Sequence, residues 1–186
     1  MENYKDNNMY YYIQYNNTKV YLGDLILYGD EGFKIILTLD VIKLNPKIFQ
    51  IHGEIPKYVK CIDPGAKRWG FTKNKIYPTI DGYYINNDED KISQIWKFNV
   101  KFEKSSITNF KKQILKKAYV LYEKGDLIRY ASFLNVRIVT NIHWSKNRPD
   151  LLFCGNLGVL YDLNTHKWSK KVGHIPVTVD IVEKDT

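Results

Sequence analysis

Apolar and polar residues alternate along this chain in short runs, and a period of two predicts β-strands rather than helices. Two such runs share one phrase. Tyr21-Leu22-Gly23-Asp24-Leu25-Ile26-Leu27-Tyr28 lies near the start, and Tyr122-Glu123-Lys124-Gly125-Asp126-Leu127-Ile128-Arg129-Tyr130 returns a hundred-odd residues later. In each, Gly-Asp ends a turn, Leu-Ile opens a strand, and a Tyr follows five residues after the Gly. A polar loop and a second β-branched run come next, at Phe33-Lys34-Ile35-Ile36 and at Val136-Arg137-Ile138-Val139. The repeated unit predicts a chain assembled from small β-modules, with the Gly-Asp as a strand-entry turn and Leu-Ile as wall.

Taken in order, residues 9–15 read as an edge strand, and Asn16-Asn17-Thr18 as a turn. Residues 33–41 are β-rich with Asp40 interrupting, and residues 47–52 form another strand before a boundary at Gly53-Glu54-Ile55-Pro56. Strands follow at 58–62, 75–80, 83–86, 91–96 and 100–102, separated by Asp63-Pro64-Gly65, Asp81-Gly82 and Asn87-Asp88-Glu89-Asp90. Asp-Gly is the strongest short hairpin signal, since a tight turn needs positive φ. One stretch has helical spacing: Ile107, Phe110, Ile114 and Ala118 share a face, Ser105 or Ser106 can cap it, and Lys111, Lys112, Lys116 and Lys117 lie opposite. Tyr119-Val120-Leu121-Tyr122 fits either a continued helix or a strand. The last part carries strands at 136–142, 151–154, 158–161 and a closing strand at 175–182. The expected organisation is a β-module over 1–56, a barrel over 57–104, a connecting helix over 105–120 and a second barrel-like module over 121–186.

Residues 58–102 resemble the small SH3-like proteins of phages and mobile elements of low-GC Gram-positive bacteria. The likeness rests on Lys60-Cys61-Ile62-Asp63, the loop to Phe71-Thr72-Lys73-Asn74-Lys75-Ile76-Tyr77, Tyr83-Tyr84-Ile85 with Asn87-Asp88, and Trp96 with Phe98 and Phe102. Asn74 stands where that family usually has Gly, and Asn tolerates the left-handed backbone Gly would supply. The fold class expected is mainly β: tandem small SH3-like barrels joined by one short helix. Barrels of this size bury little core alone, so they are expected to pack together or to dimerise.

Composition narrows the chemistry. The 186 residues are 44% hydrophobic and 15% aromatic, with 15 Tyr, as in a folded chain rather than a disordered one. The net charge of +8 suits nucleic acid, an anionic surface or an acidic protein, or it reflects a Lys-, Asn-, Ile- and Tyr-rich codon bias. Met1-Glu2-Asn3-Tyr4-Lys5-Asp6 has no signal-peptide core, no run is long enough to span a bilayer, and two cysteines are too few for a disulfide framework. A cytoplasmic protein without a membrane partner is expected.

Catalysis would need Cys61, Cys154 or a Ser beside a base and an orienting acid, and neither Cys lies in a nucleophile motif. Asp88-Glu89-Asp90 lacks the oxygen spacing of a calcium loop. His143, His166, His174 and Cys154 lack the tight paired spacing of zinc ligands. No enzyme, cofactor or metal is therefore expected. Binding is: Lys67-Arg68-Trp69-Gly70-Phe71, Trp144 with Lys146 and Arg148, and Lys167-Trp168 each set cations beside aromatics, with Lys111, Lys112 and Lys116 of the helix as further cations. Such loops stack on bases and neutralise phosphate, or form protein hot spots, or cap barrel ends with soluble cations around them. The resemblance points to a phage protein acting on a host protein or complex, in the manner of inhibitors of bacterial defence such as anti-CRISPR proteins. Direct nucleic-acid binding is the alternative.

Overall fold

A computed structural model describes residues 8–95, 100–131 and 133–176. The expectations for Met1-Glu2-Asn3-Tyr4-Lys5-Asp6, for Trp96 and Phe98, and for the closing strand beyond Pro176 lie outside the described residues. The fold is mainly β, and the chain divides into two compact units, Met1–Lys111 and Lys112–Thr186. Among the described residues no helix is long and apolar enough to cross a membrane.

In the first unit β1 (Tyr11–Tyr15) alternates buried Tyr11, Ile13 and Tyr15 with less buried neighbours, as half-buried strands do. It turns into β2 (Thr18–Val20) through Asn16 and Asn17, whose φ values of 47° and 60° give the two-residue hairpin the polar pair predicts. β3 (Leu25–Tyr28) and β4 (Phe33–Ile36) form a hairpin through Gly29 and Gly32. Here the expected strand over 33–41 breaks. The Thr38 side chain accepts from Val41 N–H at 3.3 Å, Asp40 sits in the first turn, and residues Leu39–Leu44 coil into helix α1. β5 (Gln50–Gly53) returns to pair with β1, giving a sheet ordered β2-β1-β5. Tyr11, Ile13, Leu22, Ile26, Leu37, Ile42, Phe49 and Tyr83 fill this module's core.

The same unit holds a five-stranded antiparallel sheet. Its strands are β6 (Tyr58–Cys61), β7 (Ile76–Ile80), β8 (Tyr84–Asn86), β9 (Ile92–Gln94) and β10 (Phe102–Lys104), ordered β10-β6-β7-β8-β9. Asp81 and Gly82 both take positive φ between β7 and β8. Asn74 sits at φ 69°, left-handed as its side chain permits. Asp88, in the acidic turn, accepts from Thr72 Oγ1 at 2.8 Å, Tyr77 OH at 2.9 Å and Lys75 Nζ at 2.5 Å. Burial pushes its carboxyl up, but the bonds from Lys75, Thr72 and Tyr77 outweigh that and hold it below its usual range. The turn thus clasps the long loop after the Ala66–Trp69 3₁₀ turn, with the Lys75 ammonium as the counter-ion of its acid.

Helix α2 (Ile107–Leu121) spans the division between the units. Tyr119, Val120 and Leu121, ambiguous in sequence, are helical. Phe110, Ile114, Ala118 and Tyr122 are buried at a spacing of four, while Ile107, placed on that stripe by spacing, is 46% exposed.

The second unit contains β11 (Asp126–Arg129), β12 (Arg137–Ile138), β13 (Ile142–Trp144), β14 (Leu151–Cys154), β15 (Gly158–Asp162), β16 (Lys167–Trp168) and β17 (Lys170–His174). They form one sheet ordered β12-β11-β17 and another ordered β13-β14-β15-β16. The repeated phrase is one structure used twice. Gly23 N–H donates to Leu37 O at 2.8 Å, and Gly125 N–H to Val139 O at 2.9 Å. Leu37 N–H returns to Asp24 O, and Val139 N–H to Asp126 O, both at 2.8 Å. Asp24 Oδ2 accepts from Tyr21 N–H and Asp126 Oδ2 from Glu123 N–H, both at 2.9 Å. The glycines sit at φ 91° and 93°, where an L side chain is strained.

Candidate binding surfaces

The three cation–aromatic loops are divided between the two units. The first lies in the first unit, where Lys67 and Arg68 are exposed and Trp69 is half-buried, with the Arg68 guanidinium 5.3 Å from the Trp69 ring centroid. Phe71 is not part of a binding surface, contrary to the expectation from its loop. It is 1% exposed and packs edge-on against Tyr77 and Phe102 at 5.1 and 5.2 Å, a core residue with no face to offer a partner.

The other two loops meet within the second unit. Strand register places Trp144 opposite Leu152, Leu152 opposite Tyr161, and Tyr161 opposite Trp168, so these four form one row across the four-stranded sheet. Cross-strand neighbours on one face are the contacts that stabilise a sheet. Leu152 and Tyr161 are buried in the middle, and the two half-buried Trp residues flank them. Trp168 lies 4.8 Å from Tyr161 and 6.2 Å from Tyr122, with Lys117 Nζ 5.8 Å above its ring. The Tyr122 hydroxyl, pushed by burial to about 12, donates to Ser169 O at 2.5 Å. Both Trp residues therefore cap the packing of Tyr161. Arg148 is committed to Asp150 through two bonds at 3.2 and 3.1 Å, while Lys146 and Lys167 are exposed. On the helix Lys112 and Lys116 carry no ion pair among the described residues; Lys116 is exposed, Lys112 is exposed as well, and Lys111 is half-buried.

Among the described residues, His143, His166, His174 and Cys154 form no common group of metal ligands. His143 stacks near Phe153, His166 Nδ1 meets the Tyr161 hydroxyl, and Cys154 Sγ donates to Ile138 O. His174 instead approaches Glu123 and Asp126, whose ligand atoms all lie within 4.8 Å of its own. Asp126 is fully buried, and its oxygens are taken: Oδ2 by Glu123 N–H, and Oδ1 by Lys171 Nζ at 3.0 Å and His174 Nδ1–H at 2.8 Å. An ammonium at the carboxylate is the counter-ion here, and the cluster acts as a clasp holding β17 to β11.

Neither thiol is poised for attack. Cys61 and Cys154 are buried, and burial pushes the Cys154 thiol to about 11 and that of Cys61 upward. In the native protein at neutral pH, a disulfide reagent such as Ellman's is expected to react with both at least about a hundredfold more slowly than after unfolding in guanidinium, which stopped-flow absorbance measures. A fast native phase would mean an accessible thiol.

One concavity involves none of the residues that the sequence marks for binding. It is a cavity of about 190 Å³ in the second unit. It is lined by buried Ile128 and half-buried Val159, by Tyr130, Phe133 and Leu157, and by two polar residues, Asn135 and Arg137. Phe133 and Leu157 are 65% and 71% exposed, which is unusual for large apolar side chains around one cavity. A turn places Phe133, whose N–H donates to Tyr130 O at 3.1 Å while the two rings stack at 6.0 Å. The Tyr130 hydroxyl is anchored on Asp162 Oδ2 at 2.7 Å. Gly158 lets the β14–β15 hairpin close: a Cβ there would stand 2.5 Å from Cys154 Sγ and 3.3 Å from Arg137 Cβ. The sequence signal for the cavity is Leu157 itself, an apolar residue between Asn156 and Gly158 in a turn that normally carries polar side chains.

Comparison of the chain with protein-family models, with curated proteins and with solved structures finds no match.

Proposed function

We propose that this chain is a non-enzymatic binding protein that acts on another protein, through the apolar cleft of its second unit. The observation that carries the reading is the pair Phe133 and Leu157, both largely exposed at a cavity that Ile128 and Val159 also line. Exposed aromatic and aliphatic anchors around a pocket are the makings of a protein hot spot. A second open apolar face supports it: Leu25, Leu27 and Ile36 of the β3–β4 hairpin are 69%, 59% and 53% exposed. With the resemblance of residues 58–102 to SH3-like phage proteins, the proposed target is a host protein or complex, and inhibition of a bacterial defence system is the specific form.

Nucleic-acid binding is the second reading, favoured by Lys112 and Lys116, which have no ion pair among the described residues. It is weakened by Phe71 being core and by Trp144 and Trp168 being packed against Tyr161, which leaves few rings to stack on bases. Capture experiments with a tagged chain in lysate of a low-GC Gram-positive host separate the two. The expected result is a stoichiometric protein partner that Phe133→Asp abolishes and that Lys112→Glu with Lys116→Glu retains. Capture lost only on the lysine changes, together with binding to DNA or RNA that falls steeply with salt, would favour the second reading.

A further inference from the structure

We infer that the cleft accepts one large apolar side chain from an acidic segment of its partner. This rests on the protein-binding reading above and gives the partner a chemistry. A cavity of about 190 Å³ is smaller than the roughly 300–1,000 Å³ of pockets that enclose small-molecule ligands, and it suits a single phenylalanine- or leucine-sized group. Five of its seven lining residues are aliphatic or aromatic, which suits an inserted group that has no polar edge to satisfy. A nucleobase does, and only Asn135 and Arg137 could meet it.

The charge around the cleft selects what flanks the anchor. Arg137 pairs in register with Ile128, also of the lining, is exposed, and has no ion pair among the described residues. The acid on the neighbouring strand end, Asp162, is already bonded by the Tyr130 hydroxyl, and Asp150 is held by Arg148. Asp126 is buried against Lys171 and His174. Asp150 and Asp126 are offset by cations while Asp162 keeps its charge under the neutral Tyr130 hydroxyl, so it is Arg137, exposed in a chain of net charge +8, that offers carboxylates beside the anchor a complementary field. Arg is suited to the role, because its planar fork grips a carboxylate with two bonds.

The probe is a short acetylated peptide with one phenylalanine between glutamates, titrated into the ¹⁵N-labelled full chain. Its counterpart has lysines for the glutamates, and a short oligothymidylate serves as the third arm. Saturable shifts are expected at the amides of Ile128, Leu157 and Val159, with a Kd of about 1 mM or tighter for the acidic peptide. Arg137→Glu should weaken that binding about tenfold and strengthen the lysine peptide, while Leu157→Asp removes it. Both side chains are exposed, so the spectrum of each variant should otherwise match the parent. Equal binding of the two peptides, shifts confined elsewhere, no saturation, or cleft shifts from the oligothymidylate alone would overturn the inference. Host-protein capture that Phe133→Asp abolishes, alongside a blank peptide arm, would overturn only the acidic anchor. Capture indifferent to Phe133→Asp would overturn the protein-binding reading as well.

Discussion

Gly23→Ala is expected to destabilise the first unit by more than about 3 kcal/mol, a large loss for the addition of one methyl group. Two separate costs meet at this position. The backbone is at φ 91°, where a Cβ is strained by roughly 1 kcal/mol. The added carbon would also lie 1.8 Å from Tyr83 Cε1 and 2.2 Å from Cζ, inside the ring's own contact surface. Tyr83 cannot step aside easily: it is 1% exposed, sits among Tyr11, Leu22 and Ile26, and stands edge-on to Tyr84 at 4.7 Å. Overpacking a filled core forces backbone shifts rather than a rotamer change. Gly29 provides the control, because its φ is 81° yet a Cβ there meets nothing within 4 Å. Gly29→Ala should therefore lose only the strain, about 1 kcal/mol. Urea melts read by amide exchange in the first unit measure both. In a Tyr83→Ala background the cost of Gly23→Ala should fall to about that of Gly29→Ala, and an unchanged cost would mean the ring is not the obstacle.

The duplicated phrase shows which parts of the fold are legible in the sequence. Its hydrogen bonds depend on local geometry, a left-handed Gly and an Asp that bonds back three residues, so the residues in a row announce the turn. Asn16-Asn17, Asp81-Gly82 and Asn74 are readable for the same reason. Where a local device competes with a broader pattern, the broader pattern misleads. The apolar run over 33–41 looks like one strand, but Thr38 and Asp40 start a helix inside it. Phe71 looks like a loop aromatic beside Trp69, and only the fold brings Tyr77 and Phe102 against it. Ile107 fits the helical stripe by spacing, yet it is 46% exposed. The candidate cleft is the least legible part, since Ile128, Phe133, Arg137 and Leu157 come from separate turns and strands and no spacing links them. Their only advance notice is apolar residues in places where solvated ones are usual.

Asp126 is where the two copies of the phrase diverge, and there the second large effect is expected. Asp24 is half-buried, whereas Asp126 is fully buried and bonded by Glu123 N–H, Lys171 and His174. Asp126→Ala should destabilise the second unit by about 3 kcal/mol, because it removes the buried acceptor shared by Glu123 N–H, Lys171 and His174 and opens the turn that orients β11. Asp24→Ala, which loses the bond from Tyr21 N–H at a half-buried site, should cost about 1 kcal/mol. The sign with pH follows from the same contacts. Burial pushes the Asp126 carboxyl up, but Glu123 N–H, Lys171 and His174 together hold it below its ordinary value. A carboxyl lowered by folding stabilises the protein at pH values above its unfolded pKa of about 4 and ceases to do so as pH falls through its folded pKa. The second unit should thus lose stability progressively below about pH 4, and Asp126→Asn, already weakened at neutral pH, should show a shallower acid slope. Asp88, lowered by Lys75, Thr72 and Tyr77, makes the matching contribution in the first unit, so Asp88→Asn should flatten the slope there and leave the second unit's unchanged. Urea midpoints from unit-resolved amide exchange between pH 3 and 7 test this directly. Identical slopes for Asp126→Asn and the parent would place the acid sensitivity elsewhere and leave the clasp between β17 and β11 no part in it.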